Sequence, residues 1–116
     1  MALIPTLWHN PRCSTSRRAL DLVRSRGIEP AIRPYLTAPA GVAELADLCR
    51  RLGLRPFDLV RTGEADWAAT GLGPQSPDAA VLDALAAYPR LLQRPILVLG
   101  DHAVIGRPPE RVLTLI

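Results

Sequence analysis

The chain has 116 residues, of which 48% are hydrophobic, and this is enough for one ordinary domain whose core needs no disulfide. No apolar run reaches roughly 18 residues and no basic start precedes a long apolar stretch, so we expect neither a membrane span nor a signal peptide. The 14 basic residues, all arginine, outnumber 11 acidic ones, but they are scattered among few aromatics, which argues against nucleic-acid binding.

The first third of the chain predicts a strand, a helix and a second strand. A short apolar run from Leu3 to Trp8 is typical of a buried strand and ends at a turn signal. Helical spacing follows from Ser14 to Arg26, and Gly27 stands where a C-terminal cap would be. The segment "IEPAIRPYL" predicts a second strand, and its prolines favour the edge of a sheet.

The middle of the chain is predicted to be helical. The segment "GVAELADLCRRLG" is an amphipathic helix with Cys49 among leucines on its apolar face and Gly53 as its end. Residues 55–70 predict one or two short helices. The segment "PDAAVLDALAAYP" predicts another helix, with Ser76 as the N-cap and Pro77 at the first helical position.

The C-terminal part returns to β-structure. The runs "RPILVLG" and "AVIG" predict a hairpin that turns after Gly100, and "RPPERVLTLI" predicts a last helix with prolines in its first turn. The order of elements is that of an α/β, thioredoxin-like fold, a mixed four-stranded sheet with an inserted helical segment. We therefore expect a single domain over residues 1–116, with the helical insertion at about 38–90.

The segment "HNPRCSTSRRAL" sets a cysteine, Cys13, in a polar turn before a predicted helix. The first amides of a helix and nearby cations favour a thiolate over a thiol, and the same amides bind oxyanions. Arg12, Arg17 and His9 are close to Cys13 in sequence. The turn therefore suits a thiolate that attacks a tetrahedral oxyanion or a disulfide-like sulfur; the alternative is a buried and inert cysteine.

The spacing around Cys13 narrows the chemistry. A dithiol site needs C-x-x-C, but the fourth position is Ser16. A tyrosine-phosphatase-like loop needs arginine six residues after the cysteine, where this chain has Ala19. Because Cys49, the other cysteine, is predicted to face the core, a covalent adduct on Cys13 would have to be released by a thiol from another molecule. Two distant, reduced cysteines also favour a cytoplasmic protein.

The Cys13 segment resembles the H-N-P-x-C-x-x-S-R active-site motif of the glutaredoxin-coupled arsenate reductase family. Four further blocks resemble the same family in the same order: "GIEPAIRPYL" with "ELADL" after it, "LGLRPFDLVRTGE", "YPRLLQRPILV" and "IGRPPERVL". The resemblance covers nearly the whole chain. It implies a thioredoxin-like fold with a helical insertion, which agrees with the element order, and it implies that Cys13 is the nucleophile.

The same resemblance implies roles for five other residues. His9 and Ser16 would support the thiolate, and the Arg94–Pro95 bond would be cis. The arginines of "LVRTGE", "QRP" and "GRP" would bind the arsenic oxyanion; these are Arg61, Arg94 and Arg107.

The function implied is reduction of arsenate to arsenite through a covalent Cys13–arsenic adduct. Glutathione would be the co-substrate and glutaredoxin the protein partner of a monomer, with no metal and no bound cofactor. Two alternatives stay open. One is a regulatory relative of the Spx type, which binds RNA polymerase; the other is a glutathione-linked reductase with a different substrate.

Overall fold

The structure, a computed structural model, describes residues 3–116 and divides the chain into two compact units. The first unit comprises Met1–Ala38 together with Arg94–Ile116, and the second comprises Pro39–Gln93. Across residues 3–116, none of the helices combines the length and the apolar character that a membrane crossing requires.

The first unit is built on a mixed sheet of four short strands in the order β2-β1-β3-β4. The strands are β1 (Thr6–Trp8), β2 (Ala31–Arg33), β3 (Ile96–Leu99) and β4 (His102–Ile105). β1 pairs in parallel with β2 and antiparallel with β3, and β3 pairs antiparallel with β4. The predicted mixed sheet is confirmed, and the proline-flanked β2 lies at its edge.

Helix α1 (Ser14–Ser25) and a 3₁₀ helix (Pro109–Thr114) complete this unit. Its core is a cluster of fully buried apolar side chains from the sheet and both helices: Leu7, Ala19, Val23, Leu97 and Val112. The predicted last helix is present as a 3₁₀ helix over Pro109–Thr114. Its opening prolines lack the N–H groups of a helical ladder, and short, tight turns tolerate that loss.

The strand register brings three chain segments to one end of the sheet. Trp8, the last residue of β1, pairs with Ile96, the first residue of β3, and Ile96 pairs with Ile105, the last residue of β4. The turn after β1, the segment before β3 and the segment after β4 therefore all leave the sheet at the same end. We call this end of the first unit the turn end.

The second unit is helical. It contains α2 (Val42–Leu52), α3 (Ala65–Thr70) and α4 (Asp78–Ala87), with 3₁₀ helices at Pro56–Leu59 and Pro89–Leu91. Helix α2 ends as predicted at Gly53, whose φ of 69° lies in the left-handed region that glycine adopts without steric cost. Cys49 is buried on the apolar face of α2, also as predicted.

The predicted start of α4 is wrong by one residue. Pro77, not Ser76, occupies the N-cap position, and the helix begins at Asp78. The Ser76 hydroxyl oxygen instead accepts a hydrogen bond from the Gly73 N–H at 2.9 Å. Ser76 Oγ, which was predicted to cap α4, therefore stabilises the preceding turn instead.

Candidate functional site

Cys13 is held by a tight turn that leads directly into α1. Its N–H donates to the Asn10 carbonyl at 3.0 Å, and the Arg12 N–H donates to Asn10 Oδ1 at 3.0 Å. Cys13 itself is the N-cap, with extended backbone angles (φ −96°, ψ 122°), and its carbonyl accepts the first helical hydrogen bond from the Arg17 N–H. The turn and the helix start therefore fix the backbone on both sides of the thiol.

The start of α1 favours negative charge on or near Cys13. The N–H groups of Ser14, Thr15 and Ser16 have no intrahelical acceptor, and the first turn holds no acidic residue. Cys13 is half-buried and so remains accessible, in contrast to Cys49. The alternative that Cys13 is buried is therefore wrong.

Two of the predicted supporting residues contact each other beneath this turn. His9 Nδ1 lies 2.6 Å from Ser16 Oγ, and both residues are buried. Ser16 Oγ also accepts a hydrogen bond from the Asn10 N–H at 3.1 Å. In the arrangement where the Ser16 hydroxyl donates to His9 Nδ1, the neutral imidazole carries its proton on Nε2.

The imidazole of His9 is kept neutral by its surroundings. Burial lowers the pKa of His9 below its ordinary value of 6.5, and the positive charges of Arg24 and Arg17 lower it further. A neutral ring with Nδ1 as acceptor fits the hydrogen bond from Ser16. His9 and Ser16 therefore act as one buried polar pair that supports the turn.

Arg94 and Arg107 meet at the turn end of the sheet. Arg107 Nη1 donates to the Arg94 carbonyl at 3.0 Å, and the Gly106 N–H donates to the Pro95 carbonyl at 2.9 Å. The Arg94–Pro95 bond is cis, as the resemblance implied, and Arg107–Pro108 is also cis. Within residues 3–116, the buried Nε of Arg94 has no hydrogen-bond partner. It is an N–H donor that an anion could use.

Arg61 belongs to the second unit, where both its backbone and its side chain are held. Its N–H donates to the Leu91 carbonyl at 2.7 Å, and Nη1 lies 2.5 Å from Glu64 Oε1. The two side chains are 27% and 30% exposed, so the pair is only partly screened by solvent. Among the described residues, Glu64 is the polar partner of the Arg61 guanidinium, so the N–H groups of Nε and Nη2 are available as hydrogen-bond donors.

The second thiol has the opposite environment. Burial raises the pKa of Cys49 to about 11, and the negative charges of Asp78 and Asp58 act in the same direction. A thiol of this kind is almost wholly protonated at neutral pH and is a poor nucleophile. As for metal ligands, residues 3–116 contain no group of three His, Cys, Asp or Glu side chains that could hold an ion.

Two residues that the structure connects to this site, Asn10 and Glu64, were assigned no role from the sequence. Asn10 precedes a proline, and Asn-Pro is a signal for turn initiation. Glu64 stands three residues after Arg61, a spacing at which a carboxylate can reach a guanidinium. Both signals are short-range and common, so neither indicates a functional role without coordinates.

The comparisons with known proteins agree on one family. The model of the ArsC family matches residues 8–115. The uncharacterised protein YfgD of Escherichia coli strain K12 is 40% identical over 112 residues, covering 95% of this chain and 94% of the relative. An arsenate reductase of Neisseria meningitidis serogroup A is 39% identical over 108 residues, covering 91% and 92%.

A solved structure supports the same assignment. The arsenate reductase from Vibrio cholerae is 37% identical, covers 100% of both chains and superimposes with a TM-score of 0.95. The predicted thioredoxin-like α/β fold and the family resemblance are both confirmed. With the matched model spanning nearly all of its length, the chain belongs to the ArsC family.

Proposed function

We propose that this protein is an oxidoreductase that reduces arsenate to arsenite, with glutathione as co-substrate and glutaredoxin as protein partner. The observation that carries the proposal is the Cys13 turn, an accessible thiol at the open N-terminus of a 12-residue helix without an acidic first turn. A nucleophilic thiolate and an anionic substrate both need this kind of electrostatic support.

The first step is attack of the Cys13 thiolate on the arsenic atom. One oxygen takes up protons and leaves as water, an S–As bond forms, and arsenic remains As(V). The guanidinium groups of Arg61, Arg94 and Arg107 carry the charge of the oxyanion during this exchange. Within the described residues 3–116, Arg94 supports the role by its unpartnered Nε, and Arg61 by two guanidinium nitrogens that have no protein acceptor there.

Reduction requires two electrons, which two external thiols supply. Glutathione first adds to the arsenic through sulfur, with loss of a second water. A glutaredoxin thiolate then attacks the glutathione sulfur, so that a mixed disulfide forms and the electrons of the broken S–As bond stay on arsenic, which becomes As(III). Hydrolysis of the bond to Cys13 releases arsenite and restores the thiol.

The burial of Cys49 supports this dependence on external thiols. The chain has two cysteines, and Cys49, with a pKa of about 11, is unsuited to attack an adduct on Cys13. The proposed cycle uses no resident metal or organic cofactor. Because it consumes glutathione, we expect the protein to act in the reducing environment of the cytoplasm.

The test is NADPH consumption coupled through glutathione reductase, with arsenate, glutathione and glutaredoxin present. We expect arsenate-dependent turnover for the wild type, loss of turnover for Cys13→Ser, and retention for Cys49→Ala, which serves as the matched control. Arsenate-dependent turnover by the Cys13→Ser variant would refute the nucleophile. Circular dichroism of each variant confirms that the fold is intact.

Two further arms separate the alternatives. A mixed disulfide of glutathione in place of arsenate identifies a reductase with a different substrate. If the wild type turns over neither compound, co-purification with RNA polymerase from cell extract would indicate a regulatory relative. Thioredoxin in place of glutaredoxin tests the protein partner.

A further inference from the structure

The side chain of Asn10, the only asparagine of the chain, is built into the turn that carries the thiol. Three groups of this residue make hydrogen bonds within the turn. The carbonyl accepts from the Cys13 N–H, Oδ1 accepts from the Arg12 N–H, and the N–H donates to Ser16 Oγ. Asn10 therefore links the backbone of the nucleophile to the buried His9–Ser16 pair.

We propose that Asn10 is a positioning residue for Cys13, and that it must be both a hydrogen-bond acceptor and neutral. The inference rests on the proposed role of Cys13 as the nucleophile. Asn10 itself acts through the turn and forms no bond in the reaction.

The acceptor requirement follows from the turn geometry. Asn10 and Pro11 occupy the first two positions of the turn closed by the Cys13 N–H, positions at which asparagine and proline are favoured. Oδ1 adds a second, nested turn by taking the Arg12 N–H. With both bonds made, Cys13 keeps the extended angles of an N-cap and leads into the free amides of α1.

The requirement for neutrality follows from the charge at this site. The first turn of α1 lacks an acidic residue, so its open amides serve the thiolate and an incoming oxyanion. An aspartate at position 10 would still accept the Arg12 N–H and would still suit the turn. Its charge would oppose a thiolate three residues away and repel an anionic substrate.

Four variants separate this role from a structural one. Asn10→Asp keeps the acceptor and adds charge, Asn10→Ser keeps a shorter neutral acceptor, and Asn10→Ala removes it. Thr37→Ala is the control, because it removes a comparable exposed turn bond, from the Thr37 hydroxyl to the Pro34 carbonyl at 3.2 Å, elsewhere in the first unit.

The readout is the rate of Cys13 alkylation by iodoacetamide from pH 5 to 10, located by peptide mass spectrometry, with thermal unfolding measured in parallel. At pH 7 we expect alkylation about tenfold slower in Asn10→Asp, since a neighbouring like charge disfavours the thiolate by about that factor. Asn10→Ala should be about fivefold slower, the scale of one lost local hydrogen bond. Asn10→Ser should recover most of the rate, and Thr37→Ala should equal the wild type.

A merely structural role predicts another order, in which alkylation follows thermal stability and Asn10→Asp matches the wild type. That result would overturn the proposal, as would a wild-type pH profile in Asn10→Ala. The experiment needs no arsenate. If the wild type does not reduce arsenate but the variants react in the expected order, the proposed function fails and the positioning role of Asn10 stands.

Discussion

Replacing Ser16 by alanine removes the hydroxyl that joins His9 to the Cys13 turn. Ser16 is fully buried, and the substitution leaves two groups without their partner, the Asn10 N–H and His9 Nδ1. An unsatisfied buried polar group costs about 1–3 kcal/mol, while alanine regains up to about 0.5 kcal/mol of helix propensity over serine. Because water can reach the half-buried Asn10, we expect a net loss of about 1–3 kcal/mol in the free energy of unfolding.

The assay is thermal and urea unfolding followed by circular dichroism. For a chain of this size the loss corresponds to a midpoint lower by about 4–12 °C. Ser25→Ala, on the same helix, is the matched control. The Ser25 hydroxyl is exposed and donates to the Leu22 carbonyl at 2.6 Å, so its removal should leave the midpoint nearly unchanged. Equal midpoints for the wild type and Ser16→Ala would refute the reasoning that this hydroxyl satisfies buried groups.

Three further predictions concern titration, thiol reactivity and packing. Folding lowers the pKa of His9, so the unfolded state binds more protons as the pH falls below 6.5, and the free energy of unfolding should decrease there. In urea titrations at a series of pH values, His9→Gln should show a flatter dependence of this free energy on pH than the wild type. Equal dependences would contradict the assignment. In the native protein at pH 8, iodoacetamide should leave Cys49 unmodified until guanidinium unfolds the chain; fast native labelling by mass spectrometry would contradict its burial. Gly106→Ala would bring a Cβ within 2.9 Å of Pro95 Cγ and should lower the free energy of chemical unfolding by about 1–3 kcal/mol. Gly63→Ala, where a Cβ meets no atom within 4 Å, should change it little. An unchanged free energy for Gly106→Ala would show that Pro95 moves aside without cost.

Much of the fold follows from local signals in the sequence. Apolar spacing predicted the helices α1 and α2, and Gly53 predicted the end of α2. Both signals are local, because helix periodicity and left-handed caps depend on a few neighbouring residues. The N-cap of α4 was missed since two adjacent residues, Ser76 and Pro77, both suit a helix start. In the structure Pro77 is the N-cap, and the Ser76 hydroxyl accepts a hydrogen bond from the Gly73 N–H.

The site was predictable in part. The Cys13 turn and its open helix start follow from residue types next to one another in sequence. The bond between His9 and Ser16 and the contact from Arg107 to the Arg94 carbonyl depend on tertiary structure, so neither contact was predicted, although the resemblance implied roles for all four residues. No role was predicted for Asn10, because an asparagine before a proline ordinarily indicates only a turn.

The first unit is assembled from both ends of the chain, and this affects how the protein is made. β1 needs β3 as its second neighbour, and Leu97 and Val112 join Leu7 in the core only after the helical unit has been translated. Cys13 is thus synthesised well before Arg94 and Arg107. The Arg107 contact to the Arg94 carbonyl, and with it this part of the proposed oxyanion site, therefore forms only after the last strand pair has been synthesised.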